Sequence, residues 1–472
     1  MKYLSLITFL IPCILFAQEK EKIGKNLDSR KADYSDIARQ IWDWAELGYQ
    51  EEQSSNLLAS TLEEEGFTVT KGVADIPTAF VAEYGSGTPV IAILAEFDAL
   101  PGISQKAIPK REAVTVGGSG HACGHHLFGT ASTAAGIEVK NWLKKAGKNG
   151  TIRVYGTPAE EGGAGKVYMV RAGLFDDVDV VLHWHPGNKN EANPGSSLAN
   201  KSAKFRFYGE ASHAAASPER GRSALDGVEA MNHMVNLLRE HVPQETRIHY
   251  VITRGGEAPN VVPAFAEVFY YTRNPDVANV KEIFQRVVQC AEGAALGTGT
   301  TMEYEVIHGL YNLLPNETLS RVMHQNLMKV GGVEYSEQDR AFGERILKTY
   351  PGSYALETAS EVQPYSNAPR KSAGSTDVGD VSWAVATAGM SSATWVPGTS
   401  AHTWQAVAAG GTEIGFKGMI VAAKTLAYTA VDIYNDPSIA EEAKKELAMQ
   451  KGENFQYEAL IGDRMPPLDY RK

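Results

Sequence analysis

Six apolar residues in a row, Val90-Ile-Ala-Ile-Leu-Ala95, run between Pro89 and the acids Glu96 and Asp98. A strand with one wet face alternates polar and apolar side chains, so an unbroken run has to be covered on both faces. Ile152 to Tyr155 and Val178 to Trp184 read as further strands. Helical stretches separate them, Thr130 to Lys145 and then Gly165 to Ala172. Strands alternating with helices predict an α/β fold with a mainly parallel sheet and helices on both its faces. Upstream, Tyr34 to Glu65 reads as two helices broken near Gly48, with Gly66 as a stop.

The rhythm changes near Gly195. Ser202 to Tyr208 alternates like a half-exposed strand, and Arg222 to Arg239 carries helical spacing through Leu225, Val228, Met231, Val235 and Leu238. Strand-like runs at Arg247 to Thr253 and Ala264 to Thr272 follow, then a helix from Val277 to Ala294 and a strand from Thr301 to Ile307. The order βαββαβ is that of a small sandwich with its helices on one sheet face. The larger pattern resumes with a strand at Ser392 to Val396 and a helix at Ile414 to Tyr434. A length of 472 residues exceeds one ordinary core. The expectation is therefore one α/β domain in two parts, 18–199 and 310–472, interrupted by an α+β module at 200–309. The module has about a hundred residues, an ordinary size for an independent core.

Residues 1–17 read as an export signal: Lys2 is the positive flank, Leu4 to Phe16 is almost wholly apolar, and small Ala17 precedes Gln18-Glu19-Lys20. That run is too short to span a bilayer, and no later run is read as long enough. Pro12 fits poorly before a lipid-attached Cys13, so release to the periplasm or outside the cell is expected. Past the signal only Cys123 and Cys290 are left. Exported cysteines often pair, but the neighbours of Cys123 argue for another use. The net charge of −11 disfavours nucleic acid as a partner.

Polar clusters sit directly after the strands: Glu96 and Asp98, then Glu160-Glu161, then His183 and His185. In a parallel sheet these ends share one edge, where open α/β folds keep their sites, and His402 can join it. Gly120-His-Ala-Cys-Gly-His-His126 precedes a helix, and Cys-x-His lets a thiolate and an imidazole meet on one ion. Adjacent acids are ordinarily a solvated surface. Here they follow a buried strand between Thr-Pro-Ala and Gly-Gly, so one can ligate while its neighbour acts as general base. His183 and His185 point to the same face, and His185 lies nearer the edge.

Ala95-Glu-Phe-Asp-Ala-Leu-Pro-Gly102, Gly120-His-Ala-Cys-Gly-His125 and Thr157-Pro-Ala-Glu-Glu-Gly-Gly163 recur as a set with Ala211-Ser-His213, Gly374-Ser-Thr-Asp377 and Gly398-Thr-Ser-Ala-His402. Together they resemble the aminoacylase/carboxypeptidase family of dinuclear metallohydrolases, and within it the aminobenzoyl-glutamate hydrolases of the B type. The resemblance implies a ferredoxin-like inserted domain used for dimerisation, as a homodimer or with a related chain. It also implies hydrolysis of an amide in a small acyl-amino acid, with a dipeptidase or carboxypeptidase as the alternative. By the same resemblance Cys123, His125, Glu161, His185 and His402 hold two divalent ions, zinc or manganese, and Glu160 is the general base. Asp98 orients a ligand, His213 stabilises the oxyanion in a partner's site, and Asn260 and Arg273 hold the substrate carboxylate. His126 departs from the family pattern, which often has aspartate there, and Asp377 keeps a supporting role only.

Overall fold

The computed structural model describes residues 18–368 and 374–472; the expected export signal lies outside the described residues. In chain order the strands are β1 (Thr68–Lys71), β2 (Phe80–Ser86), β3 (Val90–Ala95), β4 (Gly150–Gly156), β5 (Val180–Gly187), β6 (Ala199–Tyr208), β7 (Arg247–Arg254), β8 (Phe265–Asn274), β9 (Thr301–Leu310) and β10 (Ala386–Ala393). They form two sheets. One is six-stranded in the order β1-β2-β4-β3-β5-β10, the other four-stranded in the order β7-β8-β6-β9.

In the larger sheet β4, β3, β5 and β10 run parallel, while β1 and β2 add an antiparallel margin. Every residue of β3 is buried, as its composition demands. Burying an isoleucine or leucine contributes roughly 1.5–3 kcal/mol, so this strand and its neighbours anchor the core. The helix His125–Ala146 packs on β3 and β4, and Glu413–Asn435 lies across it. Gly129 permits the close approach: a Cβ there would stand 2.7 Å from the Glu96 carbonyl oxygen. Glu413–Asn435 is long and apolar enough to cross a membrane, contrary to the expectation that no run after the leader would be. Its most apolar window is 89% buried inside the molecule, so core packing accounts for its composition.

The four-stranded sheet is antiparallel throughout. Ala224–Leu238 and Val277–Thr298 supply its helical layer, and Phe205, Phe207, Met231, Val268 and Val287 fill a separate core. This is the ferredoxin-like α+β unit, inserted between β5 and the returning strand β10.

Two element readings need correcting. The returning strand is Ala386–Ala393, not Ser392 to Val396. Its sequence, Ala-Thr-Ala-Gly-Met-Ser-Ser-Ala, is small and polar. The bulky Trp395 and Val396 instead pack beyond its end in two lesser clusters. The first long helix begins at His125, not Thr130, after Gly124 in a left-handed conformation. Cys123 and Cys290 are both free thiols.

Candidate metal centre

The edge formed by the ends of β3, β4 and β5 carries the chemistry. Glu96 and Asp98 follow β3, Glu160 and Glu161 follow β4, and His185 sits near the end of β5. The turn before the long helix sets Cys123 and His125 over that edge. The His402 amide donates to the Ala122 carbonyl (2.9 Å), bringing a residue far along the chain into the same space. His402 itself is left-handed, with φ 62°.

Three groups of ligand-bearing side chains result: Cys123, His125 and His185; Cys123, Glu161 and His402; and Glu96, His125 and Glu160, the ligand atoms of each lying within 4.8 Å of one another. Cys123 Sγ is 3.4 Å from His185 Nε2, and His402 Nε2 is 3.0 Å from Glu161 Oε1. His125 Nε2 is 3.1 Å from Glu96 Oε2. His125 Nε2, Glu96 Oε2 and Glu161 Oε1 are buried, and apart from these close approaches within the cluster they have no hydrogen-bond partner. A buried polar atom whose only neighbours are other members of such a cluster is poorly satisfied, and cations placed among these groups would satisfy all three. The donor set of one sulfur, imidazoles and carboxylates fits divalent ions. Cys123, His125, Glu161, His185 and His402 are thus all brought together.

Around them the fit continues. His125 Nδ1 lies 2.7 Å from Asp98 Oδ1, which holds the proton there and leaves Nε2 as a donor to an ion. The other Asp98 oxygen accepts the Glu161 amide at 2.8 Å. Burial opposes a charged His125, but Cys123, Asp98 and Glu96 outweigh it and lift its pKa well above the usual value. Burial pushes the Cys123 thiol up, a penalty that a bound dication would reverse. Glu160 is raised well above an ordinary carboxyl by burial and by Glu96, Glu161 and Asp377. A carboxylate so destabilised is a willing proton acceptor.

Sequence reasoning missed Lys166. It is fully buried, with Nζ 2.7 Å from both Glu96 and Asp377, and its amide donates to Asp377 at 2.9 Å. Burial raises the Glu96 carboxyl, but Lys166 and His125 pull it below its ordinary value. The available signal was a lysine beside the apolar run Val167-Tyr-Met-Val170. Glu96 is visible in the sequence at its strand end, but nothing there gives it a role. His183 stays outside the ligand groups, against Gly389 on β10, where a Cβ would fall 2.2 Å from its Nε2. His126 bonds the Gly410 carbonyl (3.0 Å) and is equally outside.

Among the described residues, no ligand group includes His213, Asn260 or Arg273. All three lie on the inserted unit. His213 and Asn260 occupy adjoining loops, joined by the Ala214 amide on the Asn260 carbonyl (3.1 Å). His213 Nδ1 accepts from the amides of Ala215 and Ala216, each at 3.2 Å. Arg273, on β8, lies over the Tyr271 ring at 5.3 Å.

Comparison with known proteins agrees with this architecture. Residues 199–312 match the peptidase dimerisation domain of the M20 group. The chain is 46% identical to the B-type chain of p-aminobenzoyl-glutamate hydrolase from Escherichia coli (strain K12), covering 90% of this chain and 94% of that protein. It is 31% identical to Xaa-Arg dipeptidase of Mus musculus, over 91% and 92% of the two chains. The fold matches the YXEP protein of Bacillus subtilis, a dinuclear metal-binding peptidase from the M20 family, with TM-score 0.60 and 19% identity over 86% and 99% of the chains. A chain that shares sequence along most of its length with such hydrolases, and folds as they do, belongs to the M20 family of metal-dependent enzymes that hydrolyse amide bonds.

Proposed function

We propose that this enzyme cleaves the amide of an N-acyl amino acid with a glutamate-like leaving group, and that Cys123, His125, Glu161, His185 and His402 hold two zinc or manganese ions. The observation that carries the reading is the convergence of buried His125, Glu96 and Glu161 atoms, bonded to nothing outside the cluster, beside Glu160. Bound there, the cations supply a more acidic water and polarise the amide carbonyl. The Glu160 carboxylate takes the water's proton and delivers it to the leaving nitrogen. Asp98 keeps the His125 ring and the Glu161 peptide in place through its two oxygens.

With Nδ1 accepting backbone amides, His213 carries its proton on Nε2 and can donate it to the oxyanion. Its place on the inserted unit suits delivery to the site of a second chain, in a homodimer or with a related chain. Arg273 can grip the leaving carboxylate by a two-pronged hydrogen bond, while Asn260, on the loop that adjoins His213 before β8, can reach that carboxylate only from a second chain, as His213 does. The apolar leader in the sequence supports action in the periplasm or outside the cell. The similarity to an Xaa-Arg dipeptidase supports a second reading, a dipeptidase using the same centre.

A panel separates them. Metal-loaded protein is given N-(4-aminobenzoyl)-glutamate, a second N-acyl-glutamate and free-amino Xaa-Arg dipeptides. Acyl-glutamates are expected to be preferred by about tenfold or more in kcat/KM, on the order of what losing one buried charge contact removes. Preference for the dipeptides would replace the first reading by the second; inactivity on all of them would contradict both.

A further inference from the structure

The loop carrying Glu160 and Glu161 has a backbone that needs outside support. Ala159 and Ala164 have φ of 58° and 59°, and Gly162 has 95°. Left-handed alanines are strained and persist only where surrounding groups hold them. Three holders lie near the sheet edge. The Ala159 amide donates to buried Glu51 (2.8 Å), the Glu161 amide to Asp98 (2.8 Å), and the Tyr49 hydroxyl to the Gly163 carbonyl (2.8 Å).

Two more holders come from the far end of the sequence. The Glu161 carbonyl accepts from Tyr470 Oη at 3.0 Å and from Arg471 Nη2 at 2.8 Å. The Arg471 guanidinium also stacks over the Tyr470 ring (4.9 Å), and that ring meets Tyr49 edge-on (5.6 Å). The segment that delivers them is itself tied down. Gln50 donates to the Leu468 carbonyl (2.7 Å), and Arg171 to the carbonyls of Gly462 (2.6 Å) and Arg464 (2.8 Å). Arg464 donates to the Ile307 carbonyl on β9 (2.6 Å). The segment thus runs from the sheet of the inserted unit to the glutamate loop.

We propose that Tyr470 and Arg471 are positioning residues for the metal-ligating carboxylate of Glu161, an assignment that rests on the metal centre proposed above. Residue 161 is gripped at both ends of its backbone, its N–H by Asp98 and its C=O by a hydroxyl and a charged guanidinium. Both lone pairs of that carbonyl are used, one by a charge-assisted bond, so the backbone of residue 161 cannot turn without breaking them. Only side-chain torsions then separate the fixed peptide from a carboxylate that must meet Cys123 and His402. Neither residue touches the reacting atoms; both act through the peptide they hold.

The test uses Tyr470→Phe, Arg471→Met, the double variant, and Arg471→Lys as the conservative replacement. Bound metal per chain is measured after dialysis against graded chelator, with kcat and KM taken separately and the melting temperature of metal-free protein recorded. The double variant should surrender metal at chelator concentrations about 10–100-fold lower, the range typical for loss of a ligand's supporting contacts. Its kcat should fall while KM holds, the metal-free melting temperature should stay near that of the unsubstituted protein, and Arg471→Lys should recover much of the loss. Should the double variant not fold, Tyr470→Phe removes a single oxygen and carries the same expectation at smaller size. Unchanged metal retention and kcat in a variant whose parent holds two ions overturns this assignment alone. So does metal loss that merely follows a lowered metal-free melting temperature. A parent that binds no divalent ion overturns the metal-centre reading and this assignment with it.

Discussion

Asp98 is the residue on which most of the site's geometry converges, since one oxygen fixes the His125 ring and the other the Glu161 peptide. Asp98→Asn keeps the shape but puts an NH2 where one of those donors points. Metal affinity is expected to fall about 10–100-fold, read by chelator competition. Asp380 tests the electrostatics away from the centre. Burial, with Asp377 adding to it, raises its pKa from 3.8 to about 7 against hydrogen bonds from the Tyr311 amide and the Tyr457 hydroxyl. The folded chain then keeps that proton longer than the unfolded chain, so this group's contribution to stability falls as pH rises from 3.8 toward 7. Asp380→Asn should gain on the unsubstituted protein in urea midpoint between pH 5 and pH 8; a constant difference would contradict the assignment. The paired glutamates were legible because polar side chains directly after a buried strand have no packing reason to be there, and Cys123 and His125 because their Cys-x-His spacing lets both meet one ion. Lys166 was not, because a lone lysine in a short helix makes no pattern until Glu96 and Asp377 are seen on either side of it.

β10 closes the larger sheet by lying beside β5, with Gly389 opposite His183 in the register. A methyl group at 389 would meet the imidazole at 2.2 Å. Gly389→Ala should destabilise the fold by about 1–3 kcal/mol, the usual cost of overpacking, measured by denaturant unfolding. Because β5 also carries His185, metal retention should fall with it; an unchanged midpoint would show that the two strands are not so closely apposed. The strand β3 could be read from sequence because burial on both faces leaves an unbroken apolar run, and β4 and β5 because short apolar stretches there stand between turn residues. β10 could not, because close packing against neighbouring side chains selects small residues there rather than large apolar ones. The onset of the helix at His125 was hidden for a related reason: Gly124, His125 and His126 stand at its start, residues that look like loop.

At the scale of the whole molecule the inserted unit is where the centre would be completed. Its edge strand β7 leaves Tyr250, Val251 and Ile252 exposed at 38%, 55% and 40%, an apolar margin of the kind that another chain covers. Val251→Lys is expected to move the protein toward single chains in sedimentation and to lower kcat if His213 serves a neighbouring site. Two-chain particles that persist in the variant would contradict that use of the strand. The inserted unit was legible because strand alternation and helical spacing keep their usual periods there, whereas the route of residues 459–471 back to the glutamate loop follows only from folded contacts. The most direct measurement of the central claim is the metal content of the purified enzyme beside that of Glu160→Gln, each assayed for amide hydrolysis. Two divalent ions per chain in both, with turnover lost only in the variant, is the predicted result. Full activity without metal, or metal lost together with activity in Glu160→Gln, would contradict it.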